Sequence, residues 1–218
     1  MRRKGNLTAR AASLAPFLRD GGVDTPDSRE IKDCTLDLSY LGSVLELEIG
    51  CGKGRFAIEY AKSHPEVGLV AVEQITNVII EGAEKAKAIG IPNLLFLRTG
   101  AEYLERYFPQ KTFRRIYLNF PCPYHKESYH ARRLTARRFL ELYDRLLTDD
   151  GEICLKTDNE RMFEYSIESF SAYGFLLTDF TLDLHASKYA EGNVMTEYES
   201  KFVAEGAPIL RVVAKKRT

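Results

Sequence analysis

Two acids frame a run of alternating glycines. In LELEIGCGKGRF, residues 45 to 56, Glu48 stands two residues before Gly50, and Gly52 and Gly54 follow. Glycine-rich turns after a strand let a ligand approach the backbone closely, and many of them cradle phosphate. A carboxylate beside such a turn would oppose a pyrophosphate by about 4 kcal/mol at roughly 4 Å in a partly shielded site. S-adenosyl-L-methionine carries no phosphate and brings an ammonium and a sulfonium, so Glu48 attracts it. The spacing ExGxGxG also lacks the GxGxxG phase of the dinucleotide turn. Glu73, 23 residues after Gly50, ends the next apolar run, where an acid can accept both ribose hydroxyls. This pair favours S-adenosyl-L-methionine over a nicotinamide dinucleotide, the ligand of the competing oxidoreductase reading.

A second chemical stretch is RIYLNFPCPYHKESYHARRL, residues 115 to 134. Pro121 and Pro123 forbid helix and hold the chain extended directly after an apolar run. Asn119 and Phe120 resemble the start of the Asn/Asp-Pro-Pro-aromatic loops of nucleic-acid methyltransferases, so the loop is expected beside the methyl group. Residues 126 to 138 then carry five basic side chains, Lys126, Arg132, Arg133, Arg137 and Arg138, against Glu127 alone, with Tyr124 and Tyr129 close by. Cations interleaved with aromatics suit an RNA backbone and a stacked base. Arg2, Arg3, Lys4 and Arg10, with Lys215, Lys216 and Arg217, would widen that footprint.

The elements that position these residues follow a regular alternation. VLELEI, GLVAVE, NLLFLR, RIYLNF and GEICLKT read as strands, each followed by a helical pattern: RFAIEYAKS, TNVIIEGAEKAKAIG, AEYLERYF, TARRFLELYDRLL and ERMFEYSIESFSAYG. That order marks an α/β fold with a parallel sheet and helices on both faces. Val78, Ile79, Ala83, Ala86 and Ile89 form one helical stripe closed by Gly90, where a left-handed cap belongs. Phe139, Leu142, Tyr143, Leu146 and Leu147 form another, followed by a turn at TDDG. FLLTDFTLDL and ILRVVAKKR read as two final strands joined by a polar loop without a helix, an antiparallel hairpin that closes the sheet. The expectation is a seven-stranded, mostly parallel sheet with one antiparallel C-terminal strand. Residues 1–42 form an arm over a domain of residues 43–218.

Composition sets outer bounds. Lysine plus arginine equals aspartate plus glutamate at 31 each, so any nucleic-acid footprint is local. Cys34, Cys51, Cys122 and Cys154 form no CxxC pair, which speaks for a reduced cytoplasmic chain and against a metal site. The basic N-terminus lacks the apolar core of a signal peptide, and no stretch approaches the ~18 apolar residues of a membrane span.

Taken in order, LEIGCGKG, VE at Glu73, RIYLNFPCP, RRL, LKTDNE and TEYE resemble the bacterial tRNA (guanine-N7)-methyltransferases from about Val44 to Arg217. The resemblance implies methyl transfer from S-adenosyl-L-methionine to N7 of guanine 46 in the tRNA variable loop. It implies cofactor contacts at Glu48 and Glu73, a substrate lysine at Lys126, and substrate binding at Asp158, Thr196, Glu197, Tyr198 and Glu199. Guanine offers an N1–H and an exocyclic amine, so Asp158 or Glu199 can accept both while rejecting adenine. The cofactor set is then Glu48, Gly50, Gly52, Gly54, Glu73, Gly100 and Cys122, the transfer residues are Asn119 and Cys122, and Lys126, Arg132 and Arg133 hold RNA. The chain departs from the family in two places. Cys122 replaces the acid of the Asn-Phe-Pro-Asp-Pro-Trp-Pro-Lys loop, with Tyr124 and His125 also changed, and Gly100 falls where an acid follows the third strand. Guanine N7 needs no proton removed, so these departures predict slower or differently organised transfer. The alternatives are a catalytically weak tRNA-binding module of this fold and a small-molecule methyltransferase, each as monomer or homodimer.

Overall fold

The computed structural model describes residues 7 to 20 and 34 to 217, and the chain divides into two units, Met1–Tyr107 and Phe108–Thr218. The first unit contains α1 (Leu7–Ala12), β1 (Leu18–Asp20), β2 (Val44–Ile49), α2 (Arg55–Ser63), β3 (Val67–Val72), α3 (Thr76–Ile89) and β4 (Leu94–Arg98). Its strands are parallel, in the order β1-β4-β3-β2. β3 and β4 are buried along their whole length, which is why VGLVAV and LLFLR read as unbroken apolar runs. Leu69, Val70, Phe96 and Leu97 pack there with Ile79 and Ile80 of α3, all fully excluded from solvent.

Four expectations change in this unit. Leu18, Arg19 and Asp20, placed in the N-terminal arm, pair with Phe96, Leu97 and Arg98 and bring the strands among the described residues to eight instead of seven. Three residues are too few to show a period of two. AEYLERYF is a 3₁₀ segment, Ala101–Arg106, and not an α-helix; Ala101, Leu104 and Tyr107 are buried at the three-residue spacing that such a turn presents to one side. On α3 the buried stripe is Ile79, Ile80, Ala83 and Ala86; of the expected residues Val78 is half-buried and Ile89 half exposed in the last turn. The cap falls as expected at Gly90, whose φ of +76° and N–H to the carbonyls of Ala86 and Lys87 end the helix. Arg10, expected in a basic footprint, is instead paired with Glu84 at 2.7 Å, and Arg2, Arg3 and Lys4 lie outside the described residues.

The second unit holds β5 (Phe113–Asn119), α4 (Arg137–Leu146), β6 (Leu147–Thr157), α5 (Glu160–Tyr173), β7 (Leu176–Thr181), α6 (Glu197–Ala204) and β8 (Leu210–Lys215). The order is β5-β6-β8-β7, with β8 antiparallel to both neighbours, the one antiparallel strand expected. α4 buries Phe139, Leu142, Tyr143 and Leu146 as its pattern requires. TDDG is not a free turn but lies inside β6, where Phe113 faces Leu147 yet Arg115 faces Glu152, so the extra residues bulge out. The connection from β7 to β8, expected without a helix, contains α6. Its start is a capping box: the Thr196 hydroxyl accepts from the Glu199 N–H, and the Glu199 carboxylate accepts from the Thr196 N–H.

Candidate functional site

In the first unit the acids and glycines converge at the carboxyl ends of β2 and β3. Gly50, Gly52 and Gly54 all have left-handed backbones, with φ of +81°, +57° and +75°. They differ in use. A Cβ at Gly50 or Gly52 would meet nothing within 4 Å, so the loop has an open floor there, whereas one at Gly54 would sit 2.7 Å from the Phe96 ring. Gly54, expected to bind cofactor, also lets α2 pack closely on β4.

Glu73 is tied to that floor. Its Oε2 accepts from the Gly52 N–H at 3.3 Å and its Oε1 from the Ile75 N–H at 2.9 Å, leaving further acceptor capacity on both oxygens. Glu48 lies buried on β2, two positions beyond Glu46, which accepts from the Tyr60 hydroxyl at 2.8 Å. Cys51 reports the resulting field. Burial first, then the charges of Glu48 and Glu73, push its thiol well above the usual range. An open glycine floor beside several carboxylates fits a cationic, phosphate-free ligand, so the donor set present suits S-adenosyl-L-methionine.

In the second unit the loop after β5 is held in an unusual shape. Phe120 and Tyr124 adopt φ of +51° and +42°, costing about 1–2 kcal/mol each for residues with a side chain. They bracket Pro121, Cys122 and Pro123. The Phe120 N–H donates to the Lys156 carbonyl at 2.8 Å, and its ring stacks on Phe202 of α6 at 5.8 Å. Arg133, expected on RNA, lies buried beneath this loop instead. Its Nε donates to the Pro123 carbonyl at 2.8 Å and its Nη2 to that of Tyr124 at 3.3 Å, with the guanidinium over Tyr165. A buried guanidinium needs such partners, and two carbonyls of one loop suit its fork. Cys122 and Lys126 are exposed, as is Arg132, which lies 4.6 Å over the Tyr129 ring.

Lys156, not singled out from the sequence, is the hub of this unit. Its buried ammonium donates to Asn193 Oδ1 at 3.0 Å, the Val194 carbonyl at 3.0 Å and Glu199 Oε2 at 2.8 Å. Glu199 also meets His185 Nε2 at 3.0 Å and accepts from Asn193 Nδ2 at 2.6 Å. Burial alone would push its carboxyl up, but Lys156, Asn193 and the Thr196 N–H override this and hold it below the usual carboxylate range. Glu199 is therefore a buried tether and not a surface acceptor, which corrects its expected contact with guanine. Thr196 is likewise buried as the helix cap, while Tyr198, 60% exposed, shares a face of α6 with Phe202. Asp158, two residues beyond Lys156, is half-buried and has no hydrogen-bond or ion-pair partner among the described residues. Asn119 pairs in register with Lys156 across β5 and β6, and Glu197 is partly exposed in the first turn of α6.

Among the described residues no group of three or more His, Cys, Asp or Glu could hold a metal ion, and no helix is long and apolar enough to cross a membrane. The family model Methyltransf_4, a methyltransferase family, matches residues 43–212. Over 171 residues the chain is 47% identical to a tRNA (guanine-N(7)-)-methyltransferase of Geobacillus sp. (strain WCH70), covering 78% of this chain and 77% of that protein. The solved 16S rRNA methyltransferase KamB superposes with a TM-score of 0.64 at 16% identity, covering 83% of this chain and 91% of its own. The [4+2]-cyclase SpnF does so with a TM-score of 0.58 at 16% identity, covering 86% and 79%. These structures establish a Rossmann-like α/β fold, and a cyclase among them shows that the fold alone does not name a reaction.

Proposed function

We infer that this protein, which belongs to the tRNA (guanine-N(7)-)-methyltransferase family, transfers a methyl group from S-adenosyl-L-methionine to N7 of a guanine in tRNA, and we place that guanine at position 46 of the variable loop. The observation that carries this reading is the 47% identity over 78% of the chain, more sequence than either unit holds alone. A tRNA substrate makes the cytoplasm its place of work.

In the first unit Glu48 holds the methionine end of the cofactor, Glu73 the ribose hydroxyls, and Gly50 and Gly52 the close approach of the backbone. Bound there, S-adenosyl-L-methionine supplies an electrophilic methyl group. In the second unit Asp158, with its carboxylate unshared, accepts the N1–H and amine of guanine and refuses adenine, which lacks that pair of donors. Lys126 and Arg132 hold phosphates, and Tyr129 and Tyr198 offer ring faces to unstacked bases. Guanine N7 presents an in-plane lone pair and no hydrogen, so no side chain has to remove a proton first. The work left to Asn119, Cys122 and the stiff loop is orientation, which contributes on the order of 7 to 11 kcal/mol at best.

The test is methyl transfer from labelled S-adenosyl-L-methionine to unmodified tRNA transcripts, with guanine 46 intact or changed to adenine, followed by aniline cleavage at N7-methylated guanine. Label and cleavage at guanine 46, absent in the variant, are expected. Salt-dependent tRNA binding with normal cofactor binding and no label would instead favour a binding module, the reading that Cys122 at the family's acid position suggests.

A further inference from the structure

The glycine at position 100 is not required by its backbone, which is ordinary extended chain with φ of −81° and ψ of 152°. A neighbour uses the space it leaves. A Cβ at Gly100 would lie 2.8 Å from Glu102 Oε2, 3.1 Å from Glu102 Cδ and 3.3 Å from the Tyr103 ring. The missing side chain makes room for the Glu102 carboxylate, which curls back over residue 100 just past the carboxyl end of β4. That carboxylate is exposed and has no hydrogen-bond or ion-pair partner among the described residues.

The strand order says what belongs there. β2, β3 and β4 are consecutive neighbours, with Glu48 near the end of β2 and Glu73 directly after β3. Ligands of such sheets lie across the carboxyl ends of the strands. S-adenosyl-L-methionine is a linear series of amino acid, ribose and adenine. With the first part at Glu48 and the second at Glu73, the third falls at the end of β4. The 6-amino group of adenine is a donor, and an ionised carboxylate only accepts.

We propose that Glu102, admitted by Gly100, is a cofactor-binding and specificity-determining residue that accepts a hydrogen bond from the 6-amino group of the cofactor's adenine. Gly100, expected to contact the cofactor, acts by leaving space. This rests on the S-adenosyl-L-methionine reading of the site. A base with a carbonyl at position 6, such as hypoxanthine, would place acceptor against acceptor.

The experiment is calorimetric binding of S-adenosylhomocysteine and S-inosylhomocysteine to the full chain, wild type, Glu102→Ala and Glu102→Gln. Wild type is expected to prefer the adenosine compound by about 30-fold, and Glu102→Ala to lose most of that preference through weaker binding of the adenosine compound alone. Glu102→Gln is expected to bind both within about threefold, because an amide can turn its oxygen to an amine or its nitrogen to a carbonyl. An unchanged preference in Glu102→Ala, with the melting temperature unmoved, would overturn the assignment. Wild type that binds neither compound would overturn the cofactor reading itself, a distinct result.

Discussion

Glu73 and Glu199 are both glutamates beside backbone N–H groups, one in each unit, and they meet opposite ends. Glu73 accepts two N–H groups and stays partly exposed with acceptor capacity left. Glu199 is fully buried and shared among Lys156, His185, Asn193 and Thr196. The first unit sets Glu73 beside an open glycine floor, with Glu46 and Glu48 buried on β2. The second buries the Lys156–Glu199 pair and Arg133 and presents Asp158, exposed cations and aromatic rings. One unit places a carboxylate at an open surface, and the other uses buried charge to hold a loop and a helix in place.

The largest effect should come from breaking the lock. Lys156→Met leaves the Glu199 carboxylate buried without its cation and is expected to lower stability by about 3–5 kcal/mol in urea unfolding. A loss under about 1 kcal/mol would erase the contrast. The lock also has a pH signature. The Glu199 carboxyl titrates below its unfolded value, so its contribution is present above the usual carboxylate range and disappears as pH falls through the lowered native value. The stability gap between wild type and Glu199→Gln should thus be full at neutral pH and close in strong acid.

On the open side, Glu73→Ala should weaken cofactor binding by about 30-fold in calorimetry, near 2 kcal/mol, without altering tRNA affinity. Equal loss of both would mean that Glu73 holds structure and not ligand. Asp158→Ala should lower kcat/KM for tRNA methylation by about tenfold while leaving cofactor affinity alone.

How far the sequence reveals this contrast depends on how local each feature is. Glu48, the glycine floor and Glu73 are legible because chain spacing alone places them at strand ends. T-x-x-E at Thr196 is equally local, a capping box ahead of a helix, but the same letters also fit a ligand-binding loop. Arg132 and Arg133 are adjacent identical letters, and only packing separates them: one is exposed over Tyr129, the other is buried by Tyr165 and by the carbonyls of Pro123 and Tyr124. Lys156 gave no signal because its partners lie 37 to 43 residues away.

Smaller effects concern the exposed loop. On the proposed assignment, Cys122→Asp puts a carboxylate beside the purine as it gains charge and should raise the single-turnover methylation rate about tenfold. An unchanged or slower rate would show that the thiol is not what limits transfer. With no ligand bound, alkylation at mildly basic pH should modify Cys122 and spare Cys51, which is buried and whose thiol is held protonated by burial and by Glu48 and Glu73, as peptide mass mapping would show.

The two left-handed residues around Pro121 and Pro123 bear on temperature. Ordering a five-residue loop costs about 1–2 kcal/mol of entropy per residue, and here that ordering is completed during folding, by the Arg133 fork, the Phe202 ring and the Lys156 carbonyl. An encounter with RNA then has little of this segment left to freeze. Methyl transfer should show a small activation entropy, its rate governed by an enthalpic barrier until the fold itself melts, so cooling would slow the reaction smoothly and without a break.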